Sequence, residues 1–468
     1  MRRSCIFLIL TGCTLFSRYE RPAIAEDATW RTPLPTKEGV DCSWWKQLND
    51  PILDQFIDEA LANNQNLQVL IARVDAFQAQ LMIARSKLYP QVALNALAQR
   101  QKISDSVTAL PPGIQQVFNL FGALFNASYL VDLWGEVRSG VEMAYHQWLS
   151  AIEARKVAVL SLVSAVASSY IQMRQYDGQV QIAKETLASR RQSLYLAQIR
   201  YQLGLTSEMQ VEQAISEIES AQIELDMLQI RQAEAENLLC FLLGKAPADL
   251  PRGNALSKAA VPSAIPPFLP SDLLCQRPDI RMVEEELIAA NANIGVARAQ
   301  FFPKINLTNA FGYESTQMNT LVDNTSKIWA FGSDIVQQIF TGFALTGNLE
   351  QTLAQKQELL HRYLSTILNA YKEANDALTA HKIYLEQIEA ERLRVEAQKQ
   401  YLILSDLRYK EGETDYLTYL DAERQLFRGL LAYEQAKGNC LLSYIQIYQA
   451  FGGEWVSAAD AAAIESCP

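Results

Sequence analysis

The chain contains the same pattern twice. Residues 84–90 read ARSKLYP, and residues 297–303 read ARAQFFP. Further along, RYQLG at 200–204 returns as RYKEG at 408–412. The two motifs keep their order and nearly their spacing in both halves of the chain. Each half is therefore predicted to be one structural unit, which needs the other copy to bury its apolar face.

The N-terminus has the pattern of a secreted lipoprotein. Arg2 and Arg3 precede a short apolar run, and the residues LTGC then end at Cys13. Small residues before such a cysteine let a signal peptidase cleave there, and the thiol accepts a diacylglyceryl group. We predict a signal peptide at 1–12, covalent diacylglycerol and fatty acyl groups on Cys13, and a lipidated tether at 13–50.

The rest of the chain divides into two repeats and a linker. Residues 244–271 hold six of the sixteen prolines, a composition typical of a connecting segment. In chain order, we predict a first repeat at 51–243, the proline-rich linker at 244–271, a second repeat at 272–452 and a C-terminal tail at 453–468.

Each repeat is predicted to run through a helix, two strands and a hairpin of two long helices, because proline and glycine break the chain at matching places. In the first copy we predict a helix over 51–88, strands over 91–101 and 121–132, and helices over 136–203 and 206–243. In the second copy we predict a helix from 279 that ends before Pro303, strands over 304–313 and 329–340, and helices over 345–409 and on to 451.

The helix that follows the first hairpin turn carries a heptad pattern. Nine of its ten seam positions are apolar, which predicts coiled-coil packing. In the second copy every other seam position is small, which lets neighbouring helices approach closely. The small positions are Ala422, Gly429, Ala436, Ser443 and Ala450.

The four strands constrain the assembly. Each has about the 9–11 residues that a tilted strand needs to cross a bilayer, but the smallest membrane barrels have eight strands. An open strand edge in lipid would leave backbone groups without hydrogen-bond partners. If these strands lie in a membrane, several chains must share one barrel. Two chains would give eight strands and three would give twelve, and these arguments do not choose between them.

Composition argues against several other classes of protein. The net charge of −11 is the opposite of the basic patch that nucleic-acid binding needs. Seven cysteines without a CxxC pair and only three histidines predict no metal site. The three acids at 284–286 point in different directions around a helix, so a solvated face is expected there. Without a nucleophile–base pair or a phosphate loop, we predict no enzyme and no cofactor.

Several short motifs occur together in the order typical of one known family. They are YERP at 19–22, WW at 44–45, DLWG at 132–135, RPDIR at 277–281, AAN at 289–291, IG at 294–295 and FFP at 301–303. Over essentially the whole mature chain, the sequence resembles the TolC-type outer-membrane efflux proteins, in the NodT/OprM-like lipoprotein subgroup that serves RND efflux systems.

The resemblance implies a mainly α-helical protein with a membrane β-barrel part. Three copies of the duplicated hairpin unit would form a trimeric α-barrel through the periplasm and one shared twelve-stranded β-barrel in the outer membrane of a Gram-negative bacterium. The implied function is the exit duct of a tripartite pump that exports small molecules. The implied partners are two further copies of the chain, a periplasmic adaptor and an inner-membrane RND-type transporter.

The resemblance also implies sites at the two hairpin turns. Adaptor contacts are expected at Leu203, Gly204, Leu205, Gly412 and Glu413. A periplasmic gate is expected at Leu417 and Asp421, one helical turn apart on one face. Some members of the family carry an arginine shortly after the second turn. Thr414 stands near that place here, so no salt-bridged lock is expected.

Two other functions are compatible with parts of the pattern. A duct for type I protein secretion would share the architecture, but the lipobox and the RPDIR motif favour small-molecule efflux. A non-conducting periplasmic coiled-coil lipoprotein would need no two-faced strands, yet four are predicted.

Overall fold

A computed structural model describes residues 19–22, 30–31, 44–104, 116–256 and 276–465. Cys13, the predicted signal peptide and residues 257–271 of the predicted linker lie outside the described residues. Within these ranges the chain is mainly α-helical, with one antiparallel sheet.

The first repeat contains four α-helices and two strands. They are α1 (Pro51–Asn63), α2 (Gln65–Ser86), β1 (Gln91–Lys102), β2 (Val117–Val131), α3 (Glu136–Gln202) and α4 (Glu208–Leu242). The second repeat contains α5 (Pro278–Ala299), β3 (Lys304–Ser315), β4 (Lys327–Val336), α6 (Ala344–Lys410) and α7 (Tyr416–Phe451), and α8 (Glu454–Glu465) follows it. The predicted order of elements is confirmed, and the four long helices begin and end within about three residues of the predicted bounds.

The single helix predicted over 51–88 is wrong, because the chain breaks at Asn64. The Asn64 side chain accepts a hydrogen bond from the Leu67 amide at 3.1 Å and donates to the Leu242 carbonyl at 2.8 Å. It thus caps the second helix and also ties it to the end of α4, a contact 178 positions away in sequence. Such a contact leaves no local signal.

The four strands form one sheet in the order β1-β2-β3-β4, with antiparallel neighbours throughout. β2 pairs with β3 across the junction between the two repeats, from Phe121 opposite Ser315 to Val131 opposite Ile305. β1 and β4 each have one unpaired edge. The fourth strand was predicted over 329–340 but ends at Val336.

The chain forms two compact units, and each contains segments of both repeats. Of the described residues, the first contains 19–22, 73–104, 116–151 and 282–363, with the sheet and the adjoining helix ends. The second contains 30–31, 44–72, 152–256, 276–281 and 364–465, with the remaining helical segments.

Aromatic side chains form the main core of the second unit. Trp44 is fully buried, stacks on Tyr448 at 5.1 Å and meets Trp455 edge to face at 6.1 Å. Trp455 lies on α8, within the predicted C-terminal tail. Gly452 and Gly453 turn the chain between α7 and α8, with φ angles of 66° and 123°.

The predicted coiled-coil seam is buried as expected in α4 and α7. In α4 the buried seam residues are Ala214, Ala221, Leu225, Leu228, Ala235 and Leu239. In α7 the predicted small positions are all buried. A Cβ at Gly429 would collide with the terminal amide of the Gln398 side chain on α6, so glycine leaves room for that side chain between the two helices.

One described helix has the length and composition to cross a membrane. It is α2, whose most apolar window has a mean hydropathy of 1.2. The window is weak evidence of a span, since core helices of soluble proteins pass the same test.

Candidate functional site

The two hairpin turns are built alike. Gly204 and Gly412 have φ angles of 69° and 78°, a backbone conformation that glycine adopts without strain. The amide of Leu205 donates to the Arg200 carbonyl at 2.8 Å, and the amide of Glu413 donates to the Arg408 carbonyl at 2.9 Å. Each bond links residues five apart, the pattern of a glycine-terminated helix end.

All five predicted tip residues are exposed. Leu203 and Leu205 are 67% and 72% exposed, so the first turn presents an apolar surface. The second turn is polar, and its Glu413 lies 3.5 Å from the Arg408 guanidinium. The turns therefore differ in chemistry although their backbones match.

After the second turn, Asp415 starts α7 as its cap. Its side chain accepts hydrogen bonds from the Thr418 amide at 3.0 Å and the Thr418 hydroxyl at 2.7 Å. These bonds favour the carboxylate and lower the pKa of Asp415. The cap fixes where the helix begins and hence which way its first side chains point.

The first two turns of α7 separate an exposed face from a buried one. Leu417 is 51% exposed and Asp421 is exposed, one turn further on. Gln425 donates to the Asp421 carboxylate at 2.6 Å. On the opposite face, Tyr416 and Leu420 are buried together with Ala214 of α4. The two predicted gate residues therefore lie together on the face that the single chain leaves uncovered.

A cluster of tyrosines supports this part of α7. Tyr409 stacks on Tyr419 at 5.9 Å and contacts Tyr416 at 5.5 Å. The Arg200 guanidinium lies 4.9 Å from the Tyr409 ring centre, within cation–π range. A cavity of about 190 Å³ lies beside these rings. Sequence analysis had treated Tyr409 only as part of a turn motif, and the other two tyrosines were not singled out as a cluster.

Next to the gate residues, a buried ion-pair cluster joins three helices. Arg424 of α7 donates to Glu217 of α4 at 2.7 Å. Arg190 of α3 lies 3.2 Å from the same carboxylate and donates to the Glu217 carbonyl at 2.6 Å. Thr414 itself carries no charge, so the expectation of no salt-bridged lock at that position stays a prediction. The arginine comes from further along α7 than Thr414, the position that was considered.

A second acid, Glu423, lies beside this cluster. It is 8% exposed and accepts a hydrogen bond from the Tyr419 hydroxyl at 3.1 Å. Burial raises the pKa of Glu423, because desolvation penalises its charged form. Burial also lowers the pKa of Arg190. Sequence reasoning missed these residues, since each reads as an ordinary charge on a helix surface.

One face of the sheet carries an apolar row across all four strands. Leu94 pairs with Phe125, Phe125 with Phe311 and Phe311 with Trp329. All four side chains are at least half exposed. Such a row of exposed aromatic and aliphatic groups suits contact with hydrocarbon rather than water.

The acids at 284–286 diverge as expected, and all three are partly exposed and paired with separate partners. Glu284 pairs with Arg21 at 2.8 Å, Glu285 with His146 at 2.5 Å and Glu286 with Arg362 at 3.1 Å. Within the described residues, no group of three or more histidine, cysteine or acidic side chains could hold a metal ion. Cys240 and Cys440 are buried and free.

Comparison with known proteins gives a consistent result. The family described as outer membrane efflux protein matches residues 56–245 and 269–453. The toluene efflux pump outer membrane protein TtgF of Pseudomonas putida is 34% identical over 460 residues, which cover 95% of each chain.

Solved structures agree with this match. A membrane protein from Pseudomonas aeruginosa has a TM-score of 0.88 at 30% identity, over 94% of this chain and 100% of that one. The open state of the Neisseria gonorrhoeae MtrE outer membrane channel has a TM-score of 0.83 at 30% identity, over 94% and 98%. The chain belongs to the outer membrane efflux protein family.

Proposed function

We propose that this chain is the outer-membrane exit duct of a tripartite efflux pump that exports small molecules. One observation carries the proposal, the combination of two features in a single chain. One is a sheet with an exposed apolar row and two open edges, and the other is a pair of long helices, α3 and α6, that end in exposed turns. The sheet suits an outer membrane and the helices suit the aqueous space beneath it. The toluene efflux protein among its relatives supports small molecules as the cargo.

The working form is a homotrimer. Four strands cannot close a barrel and their open edges cannot remain in lipid, so further copies must complete it. Three copies give a twelve-stranded barrel, the number that the family resemblance implies. Native mass spectrometry in detergent should detect three chains, and a conducting monomer would contradict the proposal.

The partners are a periplasmic adaptor and an inner-membrane RND-type transporter. The adaptor contacts are Leu203, Gly204 and Leu205 of the first turn and Gly412 and Glu413 of the second. The apolar first turn supplies most of the affinity, since exposed leucines gain most from burial. Replacing Leu203 and Leu205 by serine should weaken adaptor binding about 10-fold or more, while replacing Glu413 by glutamine should change it little.

The duct needs neither a catalytic site nor a cofactor. The only covalently attached groups that we propose are a diacylglycerol and a fatty acyl group on Cys13, which anchor the chain to the membrane. Leu417 and Asp421 form the periplasmic gate. At a narrow opening, three copies of the Leu417 side chain would exclude water, and three copies of the Asp421 carboxylate would repel one another.

Conductance in planar bilayers tests the function directly. The purified trimer should form a pore, and a strain that lacks its own efflux channel should regain resistance to small apolar toxicants when it expresses this chain with its adaptor and transporter. Export of a protein substrate without any gain in resistance would favour type I secretion instead. A protein that folds but shows no conductance would favour the non-conducting coiled-coil lipoprotein.

A further inference from the structure

The two hairpins of the sheet are copies of one another at the level of single residues. Gln91 pairs with Ser128 at the start of β1, and Lys304 pairs with Val336 at the start of β3. The helices after them, α3 and α6, both contain 67 residues. Val336 is therefore the counterpart of Ser128, and each residue of β1 has a counterpart at the same distance from the start of β3.

The seam between β2 and β3 joins one repeat to the next inside the chain. Across it, Ser128 lies opposite Thr308, and Val131 lies opposite Ile305. If a second copy continues the sheet beyond β4, then the same kind of junction forms again, from β4 to the β1 of that copy. The pairing of β2 with β3 inside the chain thus gives the geometry of the pairing of β4 with β1 of the next copy.

We infer that β4 of one subunit pairs antiparallel with β1 of the next in a single register, with Val336 opposite the partner's Asn95 and Ile335 opposite the partner's Ala96. Asn95 is the counterpart of Thr308, because each stands four residues after the start of its strand. Since Ser128 pairs with Thr308 inside the chain, its counterpart Val336 should pair with the partner's Asn95. The inference rests on the proposed homotrimer and specifies how its subunits join.

This register explains why β4 is short. β2, which is paired on both sides, runs for 15 residues, but β4, which is paired on one side, runs for 10. The counterpart of Val131, where β2 ends, is Ile339, which is 90% exposed in the single chain. Pairing places Ile339 opposite the partner's Val92, which is 67% exposed. β4 therefore gains residues 337–339 on assembly.

Aromatic residues just beyond the ends of the paired strands support the same pairing of β4 with the partner's β1. Inside the chain, Trp134 stacks on Phe302 at 4.8 Å, and its indole nitrogen donates to the Pro303 carbonyl at 2.8 Å. The counterpart of Phe302 is Tyr89, which is 68% exposed. The counterpart of Trp134 is a glycine, but the Phe340–Phe343 pair lies beside that glycine with both rings about 80% exposed. These two rings take the place of the indole against the partner's Tyr89.

The charges near the other end of the seam fit the register. Phe331 lies opposite the partner's Arg100, a pairing in which a guanidinium can cover an aromatic ring. A slip of two residues in one direction would set Lys327 opposite the partner's Lys102, and like charges directly opposite destabilise a strand pair. A slip of one residue would turn the apolar row of one subunit towards the opposite face of the next.

Disulfide trapping tests the register. The variants are V336C with N95C and I335C with A96C, because successive pairs in an antiparallel ladder alternate in geometry and at least one should permit a disulfide. The matched controls move the β1 cysteine two residues along, to give V336C with L97C and I335C with A98C. Within one chain the two engineered cysteines lie at opposite edges of the sheet, three strand spacings or about 14 Å apart across it and a further eight residues apart along the strands. A disulfide must therefore join two chains.

We expect mild oxidation to give covalent trimers in at least one of the two registered variants, with the linked peptides identified by mass spectrometry. The shifted controls should give at least 10-fold less product. Preferential cross-linking of the shifted pairs, or no cross-linking of a trimer that native mass spectrometry detects, would overturn the register and leave the proposed function standing. A monomer in native mass spectrometry would overturn both.

A second measurement tests the aromatic junction. Replacing Phe340 and Phe343 by alanine should lower the temperature at which the detergent-solubilised trimer dissociates by about 5 °C or more. Phe125 is also exposed on the sheet but lies on β2, away from the junction between subunits, so F125A is the control and should leave that temperature unchanged. Equal shifts in both variants would contradict the contact with the partner's Tyr89.

Discussion

At the start of α7, the proposed gate residues are different side chains from those that pack the helix against its neighbours. Leu417 and Asp421 are exposed, whereas Tyr416 and Leu420, next to them in sequence, are buried. The exposed pair can thus be changed without disturbing the packing that positions it. This separation makes the gate testable by substitution.

Replacing Leu417 and Asp421 together by alanine should widen the pore. Alanine preserves the helix but removes an apolar ring and a ring of carboxylates, so single-channel conductance should rise several-fold and block by divalent cations should weaken. Bilayer recording measures both quantities.

The matched control is L393A with E389A, an exposed leucine and acid one turn apart on α6. It should conduct like the wild type. If the Leu417 and Asp421 variant folds as a trimer with unchanged conductance and block, then the gate lies elsewhere.

Glu434 predicts a pH dependence of stability. It is 6% exposed, and Gly178 of α3 makes room for it, since a Cβ there would collide with the carboxyl. Burial raises the pKa of Glu434 above its unfolded value. In the window between those two values the folded state binds more protons, so this group's contribution to stability is full at low pH and is lost as pH rises through the window.

Glutamine at position 434 should therefore raise the melting temperature near pH 8 by a few degrees and leave it nearly unchanged near pH 4. Melting curves at both pH values measure this difference, and E219Q, at an exposed site on α4, is the control. A larger effect at the acidic pH would show that the sign is wrong.

The residues of the gate and tips could be predicted from sequence, but only through the family resemblance, because an exposed leucine and aspartate on a helix have no distinctive local pattern. The buried cluster of Arg190, Glu217 and Arg424 could not be. Its members lie on three helices, and Arg424 and Glu217 are 207 positions apart. Charged residues are usually exposed, so sequence alone favours the wrong environment for Arg190 and Glu217, which are buried.

At the scale of helices and strands, the same cluster fastens α7 to α3 and α4. Glu217 is 7% exposed and bonds to two arginines, of which Arg190 is buried and Arg424 is partly exposed. Removal of the acid would leave Arg190 buried without its carboxylate. Removal of Arg424 would release α7 but leave the pair between α3 and α4 intact.

E217Q should destabilise the fold by about 3 kcal/mol, the range for breaking one side of a buried ion pair. R424Q should cost less stability but increase conductance, because it frees the helix that bears the gate. Thermal unfolding and bilayer recording separate the two effects. R392Q, which removes only exposed ion pairs of α6, should change neither. Equal losses of stability in E217Q and R424Q would contradict this assignment.

The spacing of β2 and β3 depends on one glycine. A Cβ at Gly312 would collide with the Ala123 carbonyl and the Leu124 backbone, which cannot move aside without breaking the strand pair. At Gly332, on β4, a Cβ would meet only the Thr308 hydroxyl at 3.1 Å. G312A should therefore reduce the yield of folded trimer at least several-fold, whereas G332A should have little effect. Heat-modifiable migration on gels measures the yield, and equal yields would contradict the argument.

The elements themselves were largely predictable, because proline, glycine and the duplication mark their ends twice. The errors have physical causes of two kinds. Asn64 breaks a helix through a tertiary contact. The alternating apolar pattern of β4 continues to residue 340, but the strand ends where the single chain offers no further partner.

At the scale of the whole molecule, family membership places the protein in the outer membrane. Lipid attachment at Cys13 is a separate prediction. Mass spectrometry of the mature N-terminus should find an acylated cysteine, and C13S should lose the lipid but still form a conducting trimer, since the sheet and not the lipid closes the pore. An unmodified mature chain that begins at another residue would contradict the prediction.

Because α3 and α6 are equally long, the length of the helical part is set by both copies of the repeat together. Each helix has 67 residues, at 1.5 Å per residue. A single inserted residue would advance a helix by that rise and rotate everything beyond it by about 100°, which would turn the buried seam outwards. The chain can therefore lengthen only in steps of about one heptad, or roughly 10 Å, and only if both copies and their returning helices change together. Adaptation to a deeper periplasm would thus require four coordinated insertions, so the duplication that makes the fold simple to encode also makes its length hard to change.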